Sequence, residues 1–168
     1  LILIENDKLA DANLKFFNSD GGESGACGNG TRCVADLISK EKNSKNVILA
    51  TLSGNLKSEI LGNNLVTTEI GKAKIKWNEI PLSEEFNTKN LNIKISDLSN
   101  SQHVGGIAVN VGNPHVIFFV DEIENFDIKK IGPEVENHKI FPEKCNVTIA
   151  KVINKNLIKV KVWERGAG

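Results

Sequence analysis

The chain has 168 residues, 21 Lys plus Arg against 21 Asp plus Glu, and a formal net charge of +0, with 40% hydrophobic and 25% charged residues. That is room for one ordinary domain or two small ones, in a globular rather than a disordered balance. Charge neutrality excludes a polybasic nucleic-acid binder, and no apolar run reaches the roughly 18 residues of a membrane-spanning helix.

Residues 1–5 and 14–18 read as strands, and residues 19–22 as a turn. The glycine-rich stretch 23–30 follows. Residues 31–40 then carry Val34, Leu37 and Ile38 at helical spacing, which puts Cys27 in a loop at or near a helix N-terminus. Cys33 is expected on the inner face of that helix, in the core. Three strand-like runs, 47–51, 56–61 and 65–70, are separated by turn signals at Ser53-Gly54 and Gly62-Asn63-Asn64, the pattern of an antiparallel meander. Residues 71–90 are polar, contain Pro81 and are expected to be a linker. Further strands are expected at 91–95, 106–111, 116–120, 147–152 and 157–163, with a short helix at 123–131 ahead of Gly132-Pro133. Strands without alternating long helices argue against a doubly wound parallel sheet. Two lobes are expected, 1–75 and 76–168.

The three cysteines, Cys27, Cys33 and Cys145, are too few and too odd for a disulfide framework and suit a reducing cytosol. Their spacing, with only three His, gives no metal site. Lys, Ile and Asn are abundant, as in an AT-rich genome, whereas Arg occurs only at Arg32 and Arg165, both in glycine-rich segments. Either this is chance, or a planar bidentate donor is needed there that Lys cannot replace. The chain has no Met and opens Leu1-Ile2-Leu3-Ile4, with neither the basic nor the long apolar region of a signal peptide. It is expected to be a piece of a longer protein.

Cys27 reads in two ways. It is a structural thiol in a glycine turn, or a reactive one whose thiolate is favoured at a helix N-terminus beside amides that bind a carboxylate. Asn113-Pro114-His115 is either a surface turn or an amide and an imidazole at the edge of a pocket. Glu164-Arg165 before Gly166 is either a solvated ion pair or a clamp for a zwitterion. Asn146 carries no signal by itself.

Together these segments resemble the diaminopimelate epimerase family. Phe17-Asn18-Ser19-Asp20-Gly21 with Cys27-Gly28-Asn29-Gly30-Thr31-Arg32-Cys33 is similar to its first active-site stretch. Gly112-Asn113-Pro114-His115 is similar to its middle motif. Ile131-Gly132-Pro133-Glu134-Val135-Glu136-Asn137-His138, Phe141-Pro142-Glu143 and Asn146-Val147 resemble the stretch that follows, and Trp163-Glu164-Arg165-Gly166-Ala167-Gly168 the start of its last motif. The resemblance implies an α+β fold of two pseudo-symmetric lobes, each a curved, mostly antiparallel sheet around a central helix, with the active site in the cleft between them. It implies cofactor-independent two-base epimerisation of LL- to meso-diaminopimelate, in lysine and peptidoglycan precursor synthesis, by a cytoplasmic homodimer that engages neither nucleic acid nor membrane.

By that resemblance Cys27 matches the first catalytic cysteine, and His115 and Glu164 match polar residues that assist the thiols and face the reacting amine. Gly28 and Asn29 match the loop that binds the reacting carboxylate, Asn113 a substrate-contacting amide, and Asn18, Asn146 and Arg165 residues that hold the distal end of the substrate. Neither Cys33 nor Cys145 stands in the motif of the family's second cysteine, which falls after Gly168, so the chain as given is expected not to epimerise. Proline racemase-like and phenazine-biosynthesis-type isomerases on the same fold, and a truncated non-catalytic homologue, are the alternatives.

Overall fold

The computed structural model describes residues 1–18, 21–25 and 27–166. Ser19 and Asp20 of the expected turn, Ala26 of the glycine-rich loop, and Ala167 and Gly168 of the closing motif lie outside the described residues. The chain divides into two compact units, Leu1–Lys72 and Ala73–Gly168.

Among the described residues, the first unit holds β1 (Ile2–Glu5), β2 (Ala12–Phe17), β3 (Glu23–Ser24), α1 (Gly28–Lys42), β4 (Asn46–Thr51), β5 (Gly54–Gly62) and β6 (Leu65–Thr68). One sheet runs β1-β2-β4-β5-β6, with β3 also on β2. All pairings are antiparallel except β2 with β4, whose connection carries α1. Period-two alternation turns Ala12, Leu14 and Phe16 inward, where they meet Val47 and Leu49 and the α1 residues Val34, Ala35 and Ile38. A fully buried Leu such as Leu14 or Leu49 contributes about 2 kcal/mol. The helix ends where Asn43 takes a left-handed φ of 50° and its N–H bonds the Ser39 carbonyl. The β5–β6 turn is built from Asn63 and Asn64, both at positive φ, which matches the right-handed twist of the flanking strands.

In the second unit, a 3-10 turn (Trp77–Glu79) is followed by β7 (Ile93–Ser96), β8 (Gln102–Gly105), β9 (Ile107–Asn110), β10 (Pro114–Phe119), a 3-10 turn (Ile123–Asn125), α2 (Ile128–Glu136), β11 (Asn146–Asn154) and β12 (Leu157–Trp163). The larger sheet runs β12-β11-β10-β9, antiparallel except for β10 with β11, whose connection carries α2. β7 and β8 form a separate antiparallel pair. Val116, Phe118, Val147 and Ile149 face the core. On the other face, alternation sets His115, Ile117 and Phe119, and the register sets Asn146 opposite His115. That face also carries the exposed Val152, Ile158, Val160 and Val162.

Four expectations need correction. Cys33 is exposed, because the buried stripe of α1 runs through Gly30, Thr31, Val34, Ala35 and Ile38 and leaves Cys33 and Leu37 on the outer side. Residues 71–90 are no linker: from residue 73 on they belong to the second unit. Lys74 and Asn110 exchange backbone hydrogen bonds of 2.8 and 3.0 Å, and Ile80 and Leu82 are core residues. The helix expected at 123–131 starts at Ile128, with Asp127 as its N-cap, and runs through Pro133 to Glu136. Proline deprives the Lys129 carbonyl of a partner, but Ile131 and Val135 are buried on either side of it and hold the turn in place. β8 was not expected at all, since Val104 is its single large apolar residue.

Candidate active site

Cys27 is the N-cap of α1. Its backbone is extended (φ −145°, ψ 91°), its carbonyl accepts from the Thr31 N–H at 2.8 Å and from the Thr31 hydroxyl at 2.9 Å, and its sulfur accepts from the Gly30 N–H at 3.4 Å. A thiol thus stands where a Ser or Asp hydroxyl or carboxylate would ordinarily cap the helix. Gly30 is required by space: a Cβ there would lie 2.7 Å from Ile2 Cδ1 and 3.1 Å from both Cys27 Sγ and Phe16 Cε1. Gly28 and Asn29 occupy the first turn, where helix geometry supplies no acceptor for the N–H groups. The Arg32 guanidinium donates to Asn29 Oδ1, so this Arg orients an amide of the loop. Asn18 lies in the same unit, its N–H bonded to the Gly22 carbonyl at 2.9 Å.

In the second unit, the start of β10, the start of β11 and the end of β12 bring the remaining candidates together. Asn146 is their hub. It is buried, its Nδ2 donates to the Pro114 carbonyl (3.2 Å), and its Oδ1 accepts from the Arg165 N–H (2.9 Å). His115 Nε2 lies 2.9 Å from Asn113 Oδ1 and 3.4 Å from Asn146 Nδ2. The shorter contact assigns the proton to Nε2, donating to Asn113. Burial holds the imidazole below its ordinary 6.5, with Glu164 pulling it up and Arg165 pushing it further down. The ring is therefore neutral near pH 7. Glu164 is exposed, and Arg165 donates from Nη1 to the Glu143 carbonyl at 3.0 Å.

One residue of this cluster was not singled out from sequence. Glu136, the last residue of α2, is 5% exposed; its Oε2 accepts from Trp163 Nε1 (2.7 Å) and its Oε1 from the Gly166 N–H (3.3 Å), with Lys144 Nζ at 3.7 Å from Oε1. The other two thiols differ from Cys27. Cys145 is fully buried, its thiol pushed up to about 12 by burial first and by Glu136 second, while Cys33 is exposed midway along α1.

The first unit thus sets a half-buried thiol among backbone donors, and the second a neutral imidazole with two amides and a guanidinium. Such groups serve proton transfer beside a carboxylate. The fold is that of amino-acid racemases and epimerases. It is similar to a hydroxyproline epimerase from Agrobacterium vitis (TM-score 0.62, 15% identity, 98% of this chain and 51% of that one). It is also similar to a probable proline racemase from Agrobacterium radiobacter (TM-score 0.59, 13% identity, 97% of this chain and 53% of that one). At these identities the likeness is one of fold alone. In sequence, residues 1–76 and 107–168 match the family model described as "Diaminopimelate epimerase". Curated proteins of that name are 69% identical over all 168 residues in Pelagibacter ubique and 41% identical over 168 residues in Acidiphilium cryptum. The chain belongs to the diaminopimelate epimerase family. It spans 61% and 59% of the length of those two relatives.

Proposed function

We propose that the intact protein epimerises LL- to meso-diaminopimelate by two-base proton transfer without a cofactor, in the cytoplasm and as a homodimer. The observation that supports this most is Cys27, a half-buried sulfur accepting a backbone N–H at the start of a 15-residue helix, inside the residues that match the family. In this reading Cys27 exchanges the α-proton. The Gly28 and Asn29 amides hold the α-carboxylate, whose charge grows in the carbanion-like transition state, so fixed donors there act on the barrier rather than on binding alone. His115, neutral, and Glu164 face the reacting amine. Asn18, Asn113 and Arg165 hold the rest of the substrate. Asn146 acts on the substrate's distal end through the Arg165 backbone and beside His115. A distal clamp built on Arg165 suits a second carboxylate and has no use for proline.

Inversion needs an acid and a base on opposite faces of the α-carbon. With Cys145 sealed in the core and Cys33 exposed on the outer side of α1, neither is placed to serve as the second thiol, which in this reading comes from outside these 168 residues. The 168-residue chain alone is therefore expected to show no more than trace epimerisation. The test is incorporation of solvent deuterium at the α-carbon of diaminopimelate by the intact protein. Wild type should incorporate it, and Cys27→Ala should lose about a thousand-fold in rate, the scale of a missing general base. No incorporation by wild type, or full activity in Cys27→Ala, refutes the reading.

A further inference from the structure

Glu136 takes no part in the mechanism above, yet it is a buried carboxylate at the C-terminal end of a helix. That is the wrong place for a negative charge on two counts. Burial strips its hydration, and the carbonyl end of the helix dipole repels it. An apolar residue of similar size would serve packing better. The partners of Glu136 are specific: one oxygen takes the Trp163 indole N–H at 2.7 Å, and the other takes the Gly166 N–H at 3.3 Å. Gly166 has a φ of 71° and directly follows Arg165, whose own N–H is held by Asn146 Oδ1 at 2.9 Å. Two consecutive backbone N–H groups of the turn after β12 are thus each fixed by a buried side-chain acceptor, one from the end of α2 and one from the start of β11. The Trp163 ring, in turn, lies so close to α2 that a Cβ on Gly132 would be 2.3 Å from its Cγ, which sets the distance at which Glu136 reaches the turn.

From this geometry we infer that Glu136 is a positioning residue, whose buried carboxylate fixes the turn at Gly166 and thereby aims Glu164 and Arg165 at the substrate. The inference rests on the proposed diaminopimelate reading for what is aimed at, but not for the link between Glu136 and the turn. Glu136→Gln is the sharpest perturbation. Its neighbours are all donors, and the Trp163 contact at 2.7 Å is shorter than those of Gly166 at 3.3 Å and Lys144 at 3.7 Å, so the amide oxygen stays on the indole and the amide nitrogen faces Gly166. Trp163→Phe is the comparison, since it removes the indole donor and leaves the bond to Gly166.

Two measurements on the intact protein test it. The first is amide hydrogen exchange at Gly166. Glu136→Gln should speed it about ten-fold or more, the loss of one charge-assisted hydrogen bond, and Trp163→Phe should leave it near the wild-type rate. Equal acceleration in both variants, or in neither, overturns the link. The second is equilibrium binding of meso-diaminopimelate to Glu136→Gln, Arg165→Ala and the double variant. Glu136→Gln alone should weaken binding about ten-fold, and the double variant should lose clearly less than the two single losses combined, because Glu136 acts through the turn that carries Glu164 and Arg165. Additive losses would make Glu136 a support of general stability and overturn the proposal. If wild type fails to bind diaminopimelate, the functional reading falls, and the exchange measurement still decides whether Glu136 holds the turn.

Discussion

Two glycines two positions apart at the start of α1 should respond in opposite ways to the same added methyl. At Gly30 the new Cβ would sit 2.7 Å from Ile2 Cδ1 and 3.1 Å from Cys27 Sγ and Phe16 Cε1. Ile2 is a partly exposed side-chain end and can swing away, but Phe16 is buried and Cys27 is tied by its carbonyl to Thr31. Overpacking of this kind costs about 1–3 kcal/mol, against which alanine regains about 1 kcal/mol of helix propensity over glycine. Gly30→Ala should therefore lose about 1 kcal/mol net. At Gly28 the Cβ would find only Arg32 Nη1, at 3.8 Å, an ordinary contact. Gly28→Ala should keep most of the propensity gain, leaving the two variants roughly 1–2 kcal/mol apart. Urea unfolding of the intact protein, followed by far-ultraviolet circular dichroism, gives both midpoints. A Gly30→Ala midpoint equal to or above that of Gly28→Ala would refute the close packing behind Cys27.

Burial depresses the imidazoles of His115 and His138 below 6.5, so the folded state binds fewer protons than the unfolded state in that range. Stability is then fully present above about pH 6.5 and declines as the pH falls toward the folded-state values. The denaturation midpoint should be lower at pH 5.5 than at pH 7.5, and His115→Gln should flatten the difference; an unchanged slope would show that His115 is not the group responsible. The depressed carboxylates, such as Asp11 and Asp97, start from 3.8 and act below this window. Alkylation by iodoacetamide near neutral pH should modify Cys33 well before Cys145, which stays untouched until the protein unfolds because its thiol is buried and raised to about 12. Peptide mass spectrometry reads the order, and equal rates at Cys33 and Cys145 would contradict the burial.

Much of the strand framework was legible because alternation survives translation into structure: Leu14 and Phe16, Val47 and Leu49, and Val116 and Phe118 all face inward as a period of two requires. The helix starts were less legible. α1 begins three residues before the helical stretch expected at 31–40, since glycines at its first turn carry no periodic signal and cysteine is not among the usual capping residues. Cys33 was misassigned because three apolar residues define a helical face only loosely, and Leu37 proved to belong to the outer side. Residues 73–90 read as a linker because Ile75, Trp77, Ile80, Leu82 and Phe86 are scattered through a polar stretch; the burial of Ile80 and Leu82 comes from strands distant in sequence. For the site, Cys27, Asn113, His115 and Arg165 stood out by residue type and neighbours. Asn146 and Glu136 did not, for their meaning lies in partners 19 to 32 residues away along the chain.

The bond from the Gly30 N–H to the Cys27 sulfur also bears on how this protein ages. Asn29-Gly30 is an Asn-Gly step. In such steps the glycine nitrogen most readily attacks the side-chain amide carbon and closes a succinimide, which opens to aspartate or its β-linked isomer. The attack needs that nitrogen free and the backbone away from helical geometry. Here the N–H is donated to sulfur at 3.4 Å, the step is the start of α1, and the amide oxygen of Asn29 is held by Arg32. The contact that caps the helix with a thiol thus also shelters its neighbour from slow chemical decay. Any event that removes the sulfur from the cap, oxidation or alkylation included, would start that clock.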